Sequence, residues 1–371
     1  MKLPLSRRGM MQTLGATALI SQLPQTASAA FDNWPLTEGA GTPKLCLGIG
    51  PADETAMREV KQLGVNYVLR GGPRIPWQEA ELRTMIDKYK AGGLTLANLM
   101  IGGFPNTLYG KPGRDEEIEK VQQSIRAAGR VGLPVVEYNF YAHRAMEGYY
   151  AETGRGGAGY TAFDYQRMKD LPALPNEGAH SLDEMWKNAT YFLKAVVPVA
   201  KESNVRLALH PNDPPVPLSR GSGQIMGSLA GWKKLVDIVP SPYNGITFDC
   251  GVTREMGEDP VEVCRYFMKK DCINHVHYRN VRVRKPHEEY TEVFIDAGQV
   301  DMFGVMRELV KLKYPRLIYP EHQRGLEADK DESPATRRAF KSMYPGGGSY
   351  AGFAFNVGYA RAMMQAAMEA G

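Results

Sequence analysis

Four potential metal ligands end four successive β-rich runs of the chain: His210, Cys250, His277 and Glu321. Imidazole, thiolate and carboxylate groups together suit a borderline divalent ion such as Mn²⁺, Fe²⁺, Zn²⁺ or Co²⁺. His275 precedes His277 by two residues, so it points to the same face of a strand but one layer deeper. We therefore predict that His277 is a ligand and that His275 is packed and hydrogen-bonded.

The elements that must position these residues are β-rich runs that alternate with amphipathic helical patterns. Eight strand candidates occur, at 44–50, 66–71, 94–99, 134–140, 206–212, 245–251, 273–280 and 315–322. Between them, stretches such as "DETAMREVKQLG" and "VDMFGVMRELVKLK" have apolar residues at three- and four-residue spacing. Eight successive β–α units predict an α/β fold, a (β/α)8 TIM barrel, whose strand ends converge at the carboxyl-terminal mouth. A doubly wound sheet is disfavoured, because "GIGPADET" lacks the Gly-rich turn of that fold.

The segment 141–181, between the fourth and fifth predicted strands, is far longer than an ordinary βα loop. It is rich in glycine, tyrosine and charge, as in "GYYAETGRGGAGYTAFDYQRM". Its aromatic residues provide area for packing: Tyr149, Tyr150, Tyr160, Phe163 and Tyr165. We therefore predict that this long loop is an ordered lid over the mouth of the barrel.

The first 29 residues have the pattern of a twin-arginine secretory signal. Arg7 and Arg8 precede a weakly apolar stretch, and Ala27-Ser28-Ala29 forms a cleavage site. We predict that residues 1–29 are this signal peptide, that 30–371 form a single barrel domain, and that the mature protein is periplasmic or otherwise exported. Because the twin-arginine route carries folded proteins, it suits an enzyme that acquires its metal before export.

The composition excludes several classes of partner. Residues 1–29 contain Lys2, Arg7 and Arg8 and no acidic residue, so their removal lowers the formal charge from +4 to +1. Nothing then indicates nucleic-acid binding. No apolar run reaches the roughly 20 residues of a membrane-spanning helix, so no membrane anchor is expected. The 4 cysteines are too scattered for a disulfide framework, and the sequence leaves a homo-oligomer open.

Several segments resemble those of the mannonate dehydratases, which are metal-dependent lyases on a (β/α)8 barrel of the xylose-isomerase-like kind. These segments are "LALHPNDPP", "HVHYRNVR", "GQVDMFGVMREL", "YPEHQR" and "GKPGRDEEIEKVQQSIRAAGRVGLPVVEYNF". The family's metal ligands fall on His210, Cys250, His277 and Glu321, and Glu321 replaces an aspartate of the family. The segment "YAHRAMEG" departs from the family pattern.

The resemblance implies loss of water by β-elimination. The substrate would be a small sugar acid, D-mannonate or a related hexonate, and the product 2-keto-3-deoxy-gluconate or a related 2-keto-3-deoxy acid. One divalent ion, Mn²⁺ or Fe²⁺, is expected to stabilise the enolate-like state. The family's proton-transfer residues fall on His322 and Tyr350, and Tyr344 and Tyr160 are the next tyrosines to test.

Three further side chains are predicted to bind the substrate: Asn139, Arg279 and Arg324. For Arg279 the sequence equally allows a solvated loop. Two other functions stay open. One is a sugar isomerase or epimerase of the same barrel class, for which Glu137 would be an additional ligand. The other is an exported sugar-acid-binding protein without catalysis, which the signal and the altered segments would fit.

The twin-arginine interpretation can be tested by replacing Arg7 and Arg8 with lysine. Lysine keeps the charge but removes the arginine pair, so we expect precursor to accumulate in the cytoplasm. Cell fractionation and N-terminal sequencing of the mature protein measure this, and cleavage is expected after Ala29. Undiminished mature protein outside the inner membrane would contradict the assignment.

Overall fold

The computed structural model describes residues 36–50, 53–144 and 146–370. The predicted signal peptide, residues 1–29, lies outside the described residues. Tertiary contacts group Glu38–Gly371 into one compact unit, and the whole barrel belongs to this unit.

The described residues form strands of two kinds, those of a barrel and those of small outer sheets. In chain order the strands are β1 (Lys44–Gly48), β2 (Tyr67–Gly71), β3 (Thr95–Ile101), β4 (Val135–Tyr138), β5 (Tyr149–Thr153), β6 (Gly159–Asp164), β7 (Arg206–Leu209), β8 (Leu218–Ser219), β9 (Ser222–Gly223), β10 (Asn244–Asp249), β11 (Ile273–His277), β12 (Val281–Lys285), β13 (Glu289–Glu292) and β14 (Leu317–Tyr319).

Eight of these strands close into a parallel barrel in the order β1-β14-β11-β10-β7-β4-β3-β2. They are the eight strands that the sequence predicted, so the (β/α)8 fold is confirmed. Strands β4, β10 and β11 are buried at every position, because parallel barrel strands are covered by helices outside and by packed side chains inside.

The helices surround the barrel and follow its strands. They are α1 (Glu54–Gln62), α2 (Glu79–Ala91), α3 (Pro105–Tyr109), α4 (Arg114–Arg130), α5 (Leu182–Glu202), α6 (Leu229–Ile238), α7 (Cys250–Glu255), α8 (Pro260–Lys269), α9 (Met302–Lys311), α10 (Pro334–Phe340) and α11 (Tyr350–Glu369). Side-chain caps set several of the helix starts. Asp53 accepts from the Ala56 amide at the start of α1, and Ser181 and Glu184 form a capping box at the start of α5.

The long segment after β4 is not an open loop. It contributes β5 and β6 to an antiparallel sheet of order β12-β13-β6-β5, whose other two strands follow β11. Tyr149, Phe163 and Tyr290 pack together in this side sheet, with ring centroids of Phe163 and Tyr290 5.2 Å apart. The predicted aromatic packing is therefore present, but it ties the segment to a second connection, and a lid that moves stays a prediction.

Within the described residues, no helix combines the length and the apolar character that crossing a bilayer requires.

Candidate active site

A cavity of about 300 Å³ opens at the carboxyl ends of the barrel strands. Its lining includes Glu137 from β4, His277 from β11, and His210 and Glu321 just after β7 and β14. Asn139 and His322 line it as well. The predicted convergence of strand ends is therefore present for these residues, as expected for the catalytic face of such a barrel.

His277 is the centre of the cluster. Its Nδ1 lies 3.3 Å from His210 Nε2, 3.5 Å from Glu321 Oε1 and 3.8 Å from Asp249 Oδ2. His210 Nδ1 lies 2.7 Å from the Pro211 carbonyl oxygen, which can only accept, so Nδ1 must carry the proton. The Nε2 lone pair of His210 is therefore free on the side that faces His277, as a metal ligand requires.

The strand-six residue that reaches this cluster is Asp249 and not Cys250. Cys250 Sγ is fully buried and donates to the carbonyl oxygens of His277 and Arg279, at 3.2 and 3.3 Å. Burial and the nearby Asp249 raise the pKa of the Cys250 thiol, so the thiolate is disfavoured. Asp249, in contrast, groups with His210 and His277 with all three ligand atoms within 4.8 Å of one another.

Glu137 and His275 lie on the inner side of His277. Glu137 Oε1 is 3.6 Å from His277 Nε2, and Asn98 and Thr247 donate to the Glu137 carboxylate at 2.9 and 2.7 Å. His275 is fully buried, as predicted, but neither of its ring nitrogens has a hydrogen-bond partner in the described part of the chain. Burial lowers the pKa of His275 to about 3, so its ring is neutral.

Arg279 does not line the cavity, and neither sequence-based interpretation of it is correct. It is 2% exposed and pairs with buried carboxylates at 2.7–3.4 Å: Asp213, Asp249, Glu255 and Glu321. A guanidinium that is saturated in this way has no free donor for a substrate. Arg279 therefore neutralises the carboxylates beneath the site.

Arg324 is likewise turned away from the cavity, contrary to the prediction that it binds the substrate. It is 1% exposed, pairs with Glu292 Oε2 at 2.8 Å, and donates through Nε to the His322 carbonyl at 2.8 Å. Arg324 thus fixes the Glu292 carboxylate and the main chain of His322. Asn139 does line the cavity, where its Nδ2 is 3.7 Å from Met100 Sδ, and its contact with a substrate stays a prediction.

His322 lies between two carboxylates at the edge of the cluster. Its Nδ1 is 2.9 Å from Glu292 Oε1, and its Nε2 is 3.0 Å from Glu321 Oε2. Burial alone lowers the pKa of His322, but Glu292 and Glu321 outweigh burial and raise this pKa to about 10. The backbone of His322 is left-handed, with φ +51°, which is rare for residues other than glycine and aims the ring into the cavity.

The tyrosine beside His322 is Tyr344, and not Tyr350. The Tyr350 hydroxyl donates to the Glu59 carbonyl at 3.1 Å and is absent from the cavity lining. Tyr344 lines the cavity, with its ring centroid 4.7 Å from that of His322, and its hydroxyl accepts from Arg144. Burial and Asp213 raise the pKa of Tyr344, and Arg144 opposes them.

Sequence reasoning missed three residues at this site: Asp249, Tyr344 as first choice, and Arg144. The sequence could have indicated Asp249, because this residue directly precedes Cys250 and is the N-cap of a helix. Arg144 lies in "YAHRAMEG", the segment that departs from the family pattern, and no spacing rule connects it to the strand ends.

The closed barrel with a histidine–carboxylate cluster at the ends of its strands has a (β/α)8 fold that xylose-isomerase-like proteins share. A solved barrel of this kind from Mycobacterium smegmatis, in complex with magnesium, has a TM-score of 0.57 and 13% identity, and covers 90% of this chain and 100% of that chain. At that identity the likeness shows the fold alone.

Closer matches are mannonate dehydratases. A family model described as D-mannonate dehydratase (UxuA) matches residues 166–347. The mannonate dehydratase of Streptococcus pneumoniae (strain 70585) is 27% identical over 321 residues, which covers 77% of this chain and 86% of the relative. The crystal structure of mannonate dehydratase from Streptococcus suis serotype 2 has a TM-score of 0.77 and 25% identity, and covers 90% of this chain and 95% of that chain. Over most of its length the chain is therefore similar to the mannonate dehydratases.

The role of Arg279 can be tested by its replacement with methionine. Arg279→Met leaves several buried carboxylates without a cation, so we expect the free energy of unfolding to fall by about 3–5 kcal/mol. Urea denaturation measures this, and Arg282→Met is the matched control, because Arg282 follows the same strand but is exposed. A variant of unchanged stability with a weakened substrate affinity would restore the substrate-binding interpretation.

Proposed function

We propose that the chain is a metal-dependent hydro-lyase that removes water from D-mannonate or a related hexonate and leaves a 2-keto-3-deoxy acid. One observation carries the proposal: His210, Asp249 and Glu321 converge on His277 Nδ1 at the cavity, and Glu321 also contacts His322. Similarity to the mannonate dehydratases supports the same reaction class.

The residues at the mouth fit a divalent ion, and four of them would hold it: His210, Asp249, His277 and Glu321. Glu321 Oε1 is buried and accepts no hydrogen bond from the described residues, which leaves it available as a ligand. Two imidazoles with two carboxylates suit Mn²⁺ or Fe²⁺. A bound ion would supply a Lewis acid for the negative charge that develops on the substrate.

Two side chains are proposed to move protons. The elimination breaks the C2–H bond and the C3–O bond, and the hydroxyl leaves as water once it gains a proton. His322 is proposed to give that proton, because it lines the cavity with its ring fixed between Glu292 and Glu321. Tyr344 lies against the same ring and is proposed to take the C2 proton in its phenolate form, which a bound cation would favour. The enol that remains becomes the 2-keto acid when C3 is protonated.

Two alternatives have less support. Glu137 does face His277, as a sugar isomerase or epimerase of this barrel class would require. The sequence relatives that match over about three quarters of the chain are nevertheless dehydratases, and a sugar-acid-binding protein without catalysis would not need the His322–Tyr344 arrangement. A keto-deoxy product from a hexonate distinguishes the dehydratase from both.

We also propose that the enzyme acts outside the cytoplasm. The support is the pair Arg7-Arg8 and the Ala27-Ser28-Ala29 site of the sequence. The lysine replacement of the two arginines tests this proposal independently of the reaction.

The proposed ligand set is tested by metal content. Asp249→Asn and His210→Ala should each lose the ion, because each removes a charged or imidazole ligand, whereas Cys250→Ser should keep it, because Sγ contacts main-chain oxygens. Elemental analysis of the purified variants measures this, with circular dichroism to verify folding. If Cys250→Ser loses the ion and Asp249→Asn keeps it, the ligand is the cysteine that the family resemblance implies.

The proton-transfer residues are tested by turnover on a panel of hexonates. His322→Asn and Tyr344→Phe should each lower kcat by about 10²-fold or more, with the metal retained. Asparagine suits position 322 because it tolerates a left-handed backbone. Tyr350→Phe is the matched control, and its kcat should equal that of the parent chain. A loss confined to Tyr350→Phe would show that Tyr344 is the wrong tyrosine.

A further inference from the structure

Arg144 is a cation of the cavity that the proposed chemistry does not use. It is partly buried and lines the cavity together with His210, His277 and Tyr344. Its guanidinium donates to the Tyr344 hydroxyl. Within residues 36–50, 53–144 and 146–370, it forms no ion pair with any carboxylate, whereas many other cations of that part of the chain do.

This lack of an anion distinguishes Arg144 from the other arginines of the site. Arg279 and Arg324, which lie beneath the cavity, are saturated by carboxylates and carbonyls. The other cation in the lining, Lys341, donates to the Gly347 carbonyl at 2.8 Å. Arg144 has one donor engaged with a neutral hydroxyl, and a guanidinium has five N–H groups.

An arginine withdrawn from water is normally paired, because the loss of hydration must be offset by an anion. The planar fork of a guanidinium matches a carboxylate with two parallel hydrogen bonds. The cavity otherwise presents carboxylates to its contents, among them Glu137, Asp213 and Glu321. A substrate that carries its own carboxylate would therefore meet several acidic groups there, and Arg144 is the arginine of the lining with donors left to pair with it.

We propose that Arg144 binds the substrate carboxylate and that the cavity thereby selects sugar acids over neutral sugars. The proposal rests on the proposed function for the identity of the sugar acid. The contact with Tyr344 gives the binding a consequence for the reaction. C2 is bonded directly to the carboxylate carbon, so anchoring that carboxylate beside Tyr344 brings C2 next to the Tyr344–His322 pair.

A narrower role is that Arg144 merely holds Tyr344 in place. The two roles differ in what they change. An anchor acts on the affinity for ligands with a carboxylate and not on the affinity for neutral ligands. If Arg144 only positions Tyr344, replacing Arg144 should lower turnover in the same way as Tyr344→Phe does.

The experiment compares two ligands that share one carbon skeleton, D-mannonate and its neutral counterpart D-mannitol. Binding is measured by isothermal titration calorimetry on metal-loaded protein that carries His322→Asn, so that the substrate is not consumed. Into this background we place Arg144→Met, Arg144→Lys or Tyr344→Phe. Metal content is measured for every variant.

Arg144→Met should weaken mannonate binding by about 10²-fold or more, as expected when one partner of a buried charge pair is removed, and should leave mannitol binding unchanged. Arg144→Lys should bind mannonate with an affinity between those of the parent and of Arg144→Met, because lysine keeps the charge but lacks the planar pair of donors. Tyr344→Phe should leave both affinities unchanged. If Arg144→Met does not fold, Arg144→Gln gives the same comparison with a neutral donor in place.

Equal losses for both ligands in Arg144→Met, or no loss for either, would overturn the anchor. The outcome is separable from that of the proposed function. If the parent chain makes keto-deoxy product while Arg144→Met keeps its preference for mannonate, the anchor fails alone. If the parent chain binds mannonate through Arg144 but makes no product, the dehydratase proposal fails alone. If the parent chain binds no hexonate, both fail.

Discussion

The guanidinium of Arg279 lies buried among five carboxylates, those of Asp213, Asp249, Glu255, Glu292 and Glu321. Burial favours the neutral form of each acid, whereas the arginine favours the charged form. The balance differs among them: the pKa of Asp213 is lowered, since Arg279 and His322 outweigh burial, and burial raises the pKa of Glu255 well above its usual value. One fixed cation therefore lets charged carboxylates stand at the base of a cavity that must also accept an anion.

The same interaction links the barrel to the side sheet. Asp213, held by Arg279 on one side, accepts a hydrogen bond of 2.6 Å from Tyr149, and Tyr290 lies 2.7 Å from the Tyr149 hydroxyl. These tyrosines belong to β5 and β13. The segment that the sequence suggested as a lid is thus connected to the base of the site through buried polar contacts, and such networks specify one arrangement when their members are satisfied.

His322 illustrates how the site offsets strain. A histidine in the left-handed region costs of the order of 1–3 kcal/mol. Arg324 donates to the His322 carbonyl while it pairs with Glu292, and Glu292 in turn contacts the His322 ring. The backbone and the ring are therefore fixed by the same buried pair, and the imidazole is directed at the cavity before any ligand arrives.

The sequence by itself determined the barrel and much of its mouth. Hydrophobic periodicity located all eight strands, because a barrel strand must be apolar on both faces and a surrounding helix on one. Strand order then brings strand ends together, and this places His210, His277, Glu321 and His322 around one cavity. These inferences need only short-range pattern and the geometry common to such barrels.

Only the tertiary structure decided which of two candidate residues close in sequence faces the site. Asp249 and Cys250 are adjacent, and the end of β10 turns the carboxylate toward the histidines and the thiol toward main-chain oxygens. Tyr344 and Tyr350 are separated by a glycine-rich turn whose path depends on contacts with distant segments. Arg279 and Arg144 are the same residue type, but burial among carboxylates saturates the first, whereas the second has no ion pair with a described carboxylate. Side-chain direction and charge pairing arise from residues far apart in the chain, so a local pattern cannot fix them.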